Sequence, residues 1–139
     1  MISQIAVTLR TMQLYYHFVH NVLRGQNFIG DHQIFGKWYD DLQEDYDSVI
    51  EEAILLEGDD AACPKEQLKI IFETINSLQC IGAENNKVYF LEAIKLEKIL
   101  NNQIMAAKES GLGLGTETLI GDVAKRSGNR QYIIGQRIK

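Results

Sequence analysis

The sequence predicts an all-α protein: an antiparallel bundle of four long helices, with a short extra helix in the connection between the second and third long ones. Three observations predict it. Apolar residues recur every three or four positions over long stretches, the period of one face of a helix. The chain has one proline in 139 residues, so little interrupts those stretches. No segment alternates apolar and polar residues as a half-buried strand does.

The elements follow in order. Over residues 2 to 24, Ile5, Leu9, Met12, Tyr16, Val19 and Leu23 step by four, three, four, three and four, which defines the first helix. Gly25, Asn27 and Gly30 then break the period, and Asp31 is expected to cap a second helix by accepting a backbone N–H. From Asp31 to Glu57 the stripe is Phe35, Tyr39, Leu42, Tyr46, Val49, Ala53 and Leu56. Gly58 is suited to end that helix, and Pro64 to open a shorter one running to Leu78. A third long helix covers residues 84 to 109, with Ala93, Leu96, Leu100, Ile104 and Ala107 on its apolar face. After GLGLG, Thr116 is expected to cap a last helix carrying Leu119, Val123, Ile134 and Ile138, with a break at Ser127-Gly128-Asn129. GLGLG follows no strand, so it reads as a helix connector and not a phosphate loop.

Composition narrows the function classes. Residues 1–139 suit one domain with a sizeable core. A formal net charge of −5 excludes a uniformly basic nucleic-acid surface and leaves only local patches to consider. Cys63 and Cys80 stand far apart without metal-ligand spacing, so reduced thiols and a cytoplasmic location are expected. The first residues lack the basic-then-apolar pattern of a leader, and no apolar run approaches the roughly 18 residues of a membrane span.

The chemistry-bearing residues gather around the first turn. His20 lies near the end of the first helix, at the edge of its buried face, and His32 near the start of the second. A short turn between antiparallel helices makes those two ends neighbours, which brings the imidazoles together. Asp47 and Glu51, four residues apart, share one face of the second helix and could hold a cation. Asp47 is fifteen residues beyond His32, so at about 1.5 Å per residue it lies about 22 Å away along the axis. All four residues can meet at one ion only across two chains. A two-fold contact pairs His20 and His32 of one copy with Asp47 and Glu51 of another. Such a nitrogen and carboxylate set suits iron and would also take zinc, manganese or cobalt. A site inside one bundle built on Glu-x-x-His is excluded, because no glutamate precedes a histidine by three.

The run His20-x4-Gly25-x-Asn27-Phe28-x3-His32, with Arg24 before its glycine and Asp47-x3-Glu51 after it, resembles the Dps family, the DNA-protection-during-starvation branch of the ferritin-like superfamily. The similarity is specific over residues 9 to 58; beyond them it rests on helix order, including the short helix between the second and third long ones. What the resemblance implies is a ferritin-like bundle assembled as a homo-oligomeric, hollow dodecamer. Its ferroxidase sites would lie at two-fold interfaces, where iron(II) is oxidised by peroxide or oxygen and stored as ferric mineral. By position, His20, His32, Asp47 and Glu51 would be both the metal ligands and the catalytic residues.

One position departs from the family. An aspartate usually follows the second histidine by four, and this chain has Gly36. Loss of that carboxylate implies a site that is weaker, completed by water or non-catalytic, with Asp40 a substitute only if the helix is rotated. The competing reading is therefore a ferritin-like structural or metal-binding oligomer that holds another divalent ion such as zinc. His17 is read as a surface or packing residue, and Trp38 and Tyr39 as core or interface aromatics. The acidic series Glu44, Asp45, Asp47, Glu51, Glu52, Glu57, Asp59 and Asp60 reads mostly as a solvated helix face, with the alternative that some of it lines a cage interior and attracts cations. Relatives that bind DNA commonly do so through a lysine-rich terminal arm, which this chain is not expected to have. DNA contact would fall to the basic end, Lys125, Arg126, Arg130, Arg137 and Lys139.

Overall fold

The computed structural model describes residues 1–139 and is all-α. Its helices are α1 (Ile2–Val22), α2 (Phe28–Glu57), α3 (Pro64–Ile75), α4 (Asn86–Glu109) and α5 (Leu114–Arg137), with one 3₁₀ turn at Asp59–Ala62. No helix is long and apolar enough to cross a membrane. Cys63 and Cys80 are free thiols.

Cross-helix hydrogen bonds fix the directions. Ser3 on α1 bonds Glu57 at the far end of α2, and His20 meets His32 at the near end, so α1 and α2 are antiparallel. Thr8 reaches Gln103 and Tyr16 reaches Glu97, which sets α4 antiparallel to α1. Arg130 bonds Glu97 and Ser127 accepts from Asn101, so α5 runs against α4. Asp45 with Arg126 and Asp31 with Arg137 set α5 against α2. The consecutive long helices α2 and α4 therefore run the same way, and the connection between them must travel the length of the molecule. Residues 58–85 make that crossing. They carry α3, which packs on α1 and pins to α2 through a Gln67–Tyr46 hydrogen bond.

The core is the predicted stripe with few changes. All six positions of the first stripe are buried, Leu23 just past the end of α1, as are Phe35, Leu42, Tyr46, Val49 and Ala53 on α2 and all five on α4. Leu56 is 53 % exposed in the last turn of α2, where α1 begins opposite Glu57. Tyr39 is half-buried at the outer surface, its ring on His17, while Trp38 takes the interior place beside Phe35.

Three boundary expectations are corrected. Asp31 is not a cap: α2 starts three residues earlier after Asn27, and the Asp31 carboxylate turns inward to Arg137 and Asn86. Thr116 lies within α5, which starts after Gly113, and its hydroxyl donates to Glu52. Ser127-Gly128-Asn129 does not interrupt α5. Gly128 costs that helix about 1 kcal/mol relative to alanine. Ser127 offsets it by donating to Glu97 at 2.7 Å and accepting from Asn101 at 3.0 Å.

Candidate functional site

The first turn joins two helix ends by closing their polar groups on one another. The last four carbonyls of a helix have no partner within it. In α1 one of these belongs to His20, and the Nδ1–H of His32 donates to it at 2.7 Å. The Nδ1–H of His20 donates in return to the His32 carbonyl at 2.6 Å. The two rings stack between these bonds, centroids 3.7 Å apart and planes 17° from parallel. Nearby, the Asn86 amide bonds both the N–H and the carbonyl of Arg24, which holds the turn against the start of α4.

This geometry sets the chemistry of both imidazoles. A carbonyl oxygen only accepts, so each Nδ1 must carry its hydrogen, and in the neutral ring Nε2 then holds the lone pair. Neither Nε2 has a partner in the chain, and neither is sealed from solvent. A first-turn backbone carbonyl fixing Nδ1 while Nε2 stays open is the arrangement that orients metal-ligating histidines.

Further aromatic rings extend the stack on both sides. Phe28 lies on the outer face of His32, with centroids 4.9 Å apart. His17 follows His20 at 6.4 Å, and Tyr39 stacks on His17 at 4.3 Å. All three histidines of the chain thus belong to one column along the α1–α2 face, although His17 has no hydrogen bond comparable to those of the pair.

The structure brings His20 and His32 together and leaves Asp47 and Glu51 further along α2. Both carboxylates are exposed, one turn apart on an unbroken helix, and neither is in an ion pair. No three His, Cys, Asp or Glu side chains of the chain converge as ligands. Asp40 is exposed. Gly36 faces an imidazole: a Cβ built on it would lie 2.9 Å from Cε1 and 3.0 Å from Nδ1 of His20.

A second polar cluster lies inside the molecule and went unread in the sequence. Glu97 is fully buried, and its Oε1 accepts from Ser127 at 2.7 Å and from Arg130 Nη2 at 3.1 Å. Its Oε2 accepts from Tyr16 at 2.6 Å and from Arg130 Nε at 2.6 Å. The four lone-pair directions of the carboxylate are filled. Burial and the charge of Glu97 push the Tyr16 phenol well above its ordinary range. Burial alone would lower the Arg130 guanidinium, but Glu97 raises it.

Two more pairs tie α5 down: Asp45 with Arg126 at 2.6 Å, and Asp31 gripped by the fork of Arg137 at 2.9 and 3.0 Å. Asp45 is thus buried and not part of a solvated acidic face. Arg130 is sealed in the interior and cannot reach a phosphate, while Arg126 and Arg137 are engaged with carboxylates; Lys125 and Lys139 are the exposed cations of that end. A signal for this was present. Glu97 falls in the stripe between Ala93 and Leu100, and Arg126, Arg130 and Arg137 share one face at steps of four and seven.

Compared with family models, with curated proteins and with solved structures, the chain gives no significant match.

Proposed function

We propose that this protein is a Dps-like ferritin that binds iron(II) between two subunits, oxidises it and stores the ferric product, suppressing peroxide-driven radical chemistry. The observation that carries the reading is the reciprocal lock of His20 and His32, which spends both Nδ1–H groups on backbone and leaves both Nε2 lone pairs to a metal. Helix directions support it, since one long crossover between parallel second and third long helices is the connectivity of ferritin-like bundles. So does the outer surface. Leu68 and Phe72 on α3 are about two-thirds exposed at 64 % and 69 %, a pair of large apolar side chains that association with another subunit would cover.

In this reading iron(II) is the substrate. His20 and His32 donate nitrogen from one subunit, and Asp47 and Glu51 of a second copy donate oxygen and negative charge. Hard carboxylates bind iron(III) better than iron(II), so they favour the oxidised product. Electrons leave iron for peroxide or oxygen, and water supplies the hydroxide of the mineral. The interior does not compete for the ion, because Glu97 has no lone pair left over.

Anaerobic loading with iron(II) followed by peroxide should produce ferric absorbance that His20→Ala and Glu51→Ala each abolish. Unchanged rates in both variants would sink the assignment, as would a monomer by solution mass measurement at working concentration. A second reading is favoured by one observation, the missing carboxylate at Gly36. It is an oligomer that binds a divalent cation such as zinc without turnover, and it predicts Zn²⁺ binding lost in His20→Ala with no ferric absorbance in the native protein.

A further inference from the structure

Gly36 has no conformational reason to be glycine. It lies within α2 and is not among the glycines with positive φ. Glycine destabilises a helix interior relative to alanine. The reason for it is spatial. At the other ten glycines a Cβ would meet nothing within 4 Å, whereas at Gly36 it would press on the His20 ring at two atoms.

That ring has no slack. One edge is held by the 2.6 Å bond from Nδ1 to the His32 carbonyl, and one face is covered by the His32 ring at 3.7 Å. A Cβ at 2.9 Å lies closer than real contacts allow, so any side chain at 36 must displace the imidazole. Displacement works against the Nδ1–H bond and the stacking that together hold the ring.

We infer that Gly36 is a positioning residue: the bare backbone at this point is the seat of His20, and it holds the imidazole pair in its metal-ready tautomer. A carboxylate at 36 and this seating of His20 exclude one another. The subunit therefore contributes two neutral nitrogens and no charge to the proposed centre, so all the charge that balances a bound cation comes from the partner's side. Imidazole pairs of this kind take cobalt and zinc as readily as iron. The metal arm of the inference rests on the function proposed above; the steric arm does not.

Both arms are read from the whole protein with ¹⁵N-labelled histidine. Two-bond ¹H–¹⁵N spectra of the native protein should show His20 and His32 with Nδ1 protonated and Nε2 bare. Gly30→Ala, on the same helix with open space around it, should keep that signature, and Gly36→Ala should lose it for His20. Co²⁺ titration should show affinity at least tenfold weaker in Gly36→Ala and weaker still in Gly36→Asp, with Gly30→Ala unchanged. A thermal melt guards against mere misfolding. Gly36→Ala should lower the Tm of the native protein but raise it in a His20→Ala background, where the ring is gone and alanine's helix preference is all that remains. Retention of both tautomers in Gly36→Ala, or lowered Tm in both backgrounds, would overturn the inference alone. Lost tautomers with undiminished Co²⁺ affinity would overturn the ligand role of the pair and the proposed function with it.

Discussion

The Glu97–Arg130 cluster and the His20–His32 pair both join helices through short polar contacts, yet they finish with different accounts. Around Glu97 every lone pair of the carboxylate is taken, by a guanidinium fork, a phenol and a hydroxyl. Around the histidines two hydrogen bonds are made, and two ring nitrogens are left without a partner in the chain and not sealed from solvent. Burying a charge is costly unless every group finds a partner, so the first cluster is tolerable only when complete. The second is half-buried and open to solvent, where an unspent lone pair is hydrated at little cost. Completeness marks the buried cluster, and the unspent lone pairs mark the one proposed to hold a metal.

The largest effect should come from making the interior cluster incomplete. Arg130→Ala leaves a fully buried carboxylate without its guanidinium, and removing one partner of a buried pair costs about 3–5 kcal/mol. Urea unfolding followed by helical circular dichroism would measure it. A loss below about 1 kcal/mol, the range of exposed ion pairs, would mean that the cluster is not the structural half of the comparison.

A smaller effect appears at alkaline pH and also belongs to the interior. Burial, and then the charge of Glu97, holds the Tyr16 phenol above its ordinary range, and burial followed by Glu92 does the same for Tyr15. The folded state therefore keeps protons that the unfolded chain releases near pH 10. The stabilisation is complete below that pH and is lost as pH rises from there toward the folded values. Above about pH 10 stability should fall by about 1.4 kcal/mol per pH unit for each phenol still protonated in the fold. Tyrosinate absorbance tests this: of the six tyrosines, Tyr15 and Tyr16 should ionise only as helicity is lost, while Tyr89, also raised by burial, ionises later than the remaining three. Ionisation of all six with helicity intact would remove Tyr16 from the interior network.

Sequence patterning carried the stripes of α1 and α4, because those faces pack along their whole length and the 3.6-residue period reports them directly. It also carried the meeting of His20 and His32, since a short turn leaves two antiparallel helix ends nowhere else to go. For contacts remote along the chain the pattern marks the residues but not their partners. Asp31 has the composition of a cap, yet it serves an arginine 106 residues away, and Glu97 finds Arg130 at a separation of 33. Local preference gives no hint of either partner. Gly36 was legible only as a missing carboxylate, because the use of an empty position is set by the neighbour that fills it. The break expected at Ser127-Gly128-Asn129 failed for a related reason: a serine's preference for turns yields when a buried carboxylate is within its reach.

The smallest effect isolates what distinguishes the pair from a mere gathering of imidazoles. His17 stands in the same column, stacked on Tyr39 at 4.3 Å and spaced 6.4 Å from His20, but it is exposed and makes no hydrogen bond to a carbonyl. Stacking at an exposed site fixes neither a tautomer nor the direction of a lone pair. His17→Ala should therefore change stability by no more than about 0.5 kcal/mol, the ordinary range for a surface substitution. It should also leave the Nδ1–H signals of His20 and His32 and the Co²⁺ affinity unmoved. A loss of affinity approaching that of His20→Ala would show that proximity in the column, and not the backbone lock, is what prepares these rings for a metal.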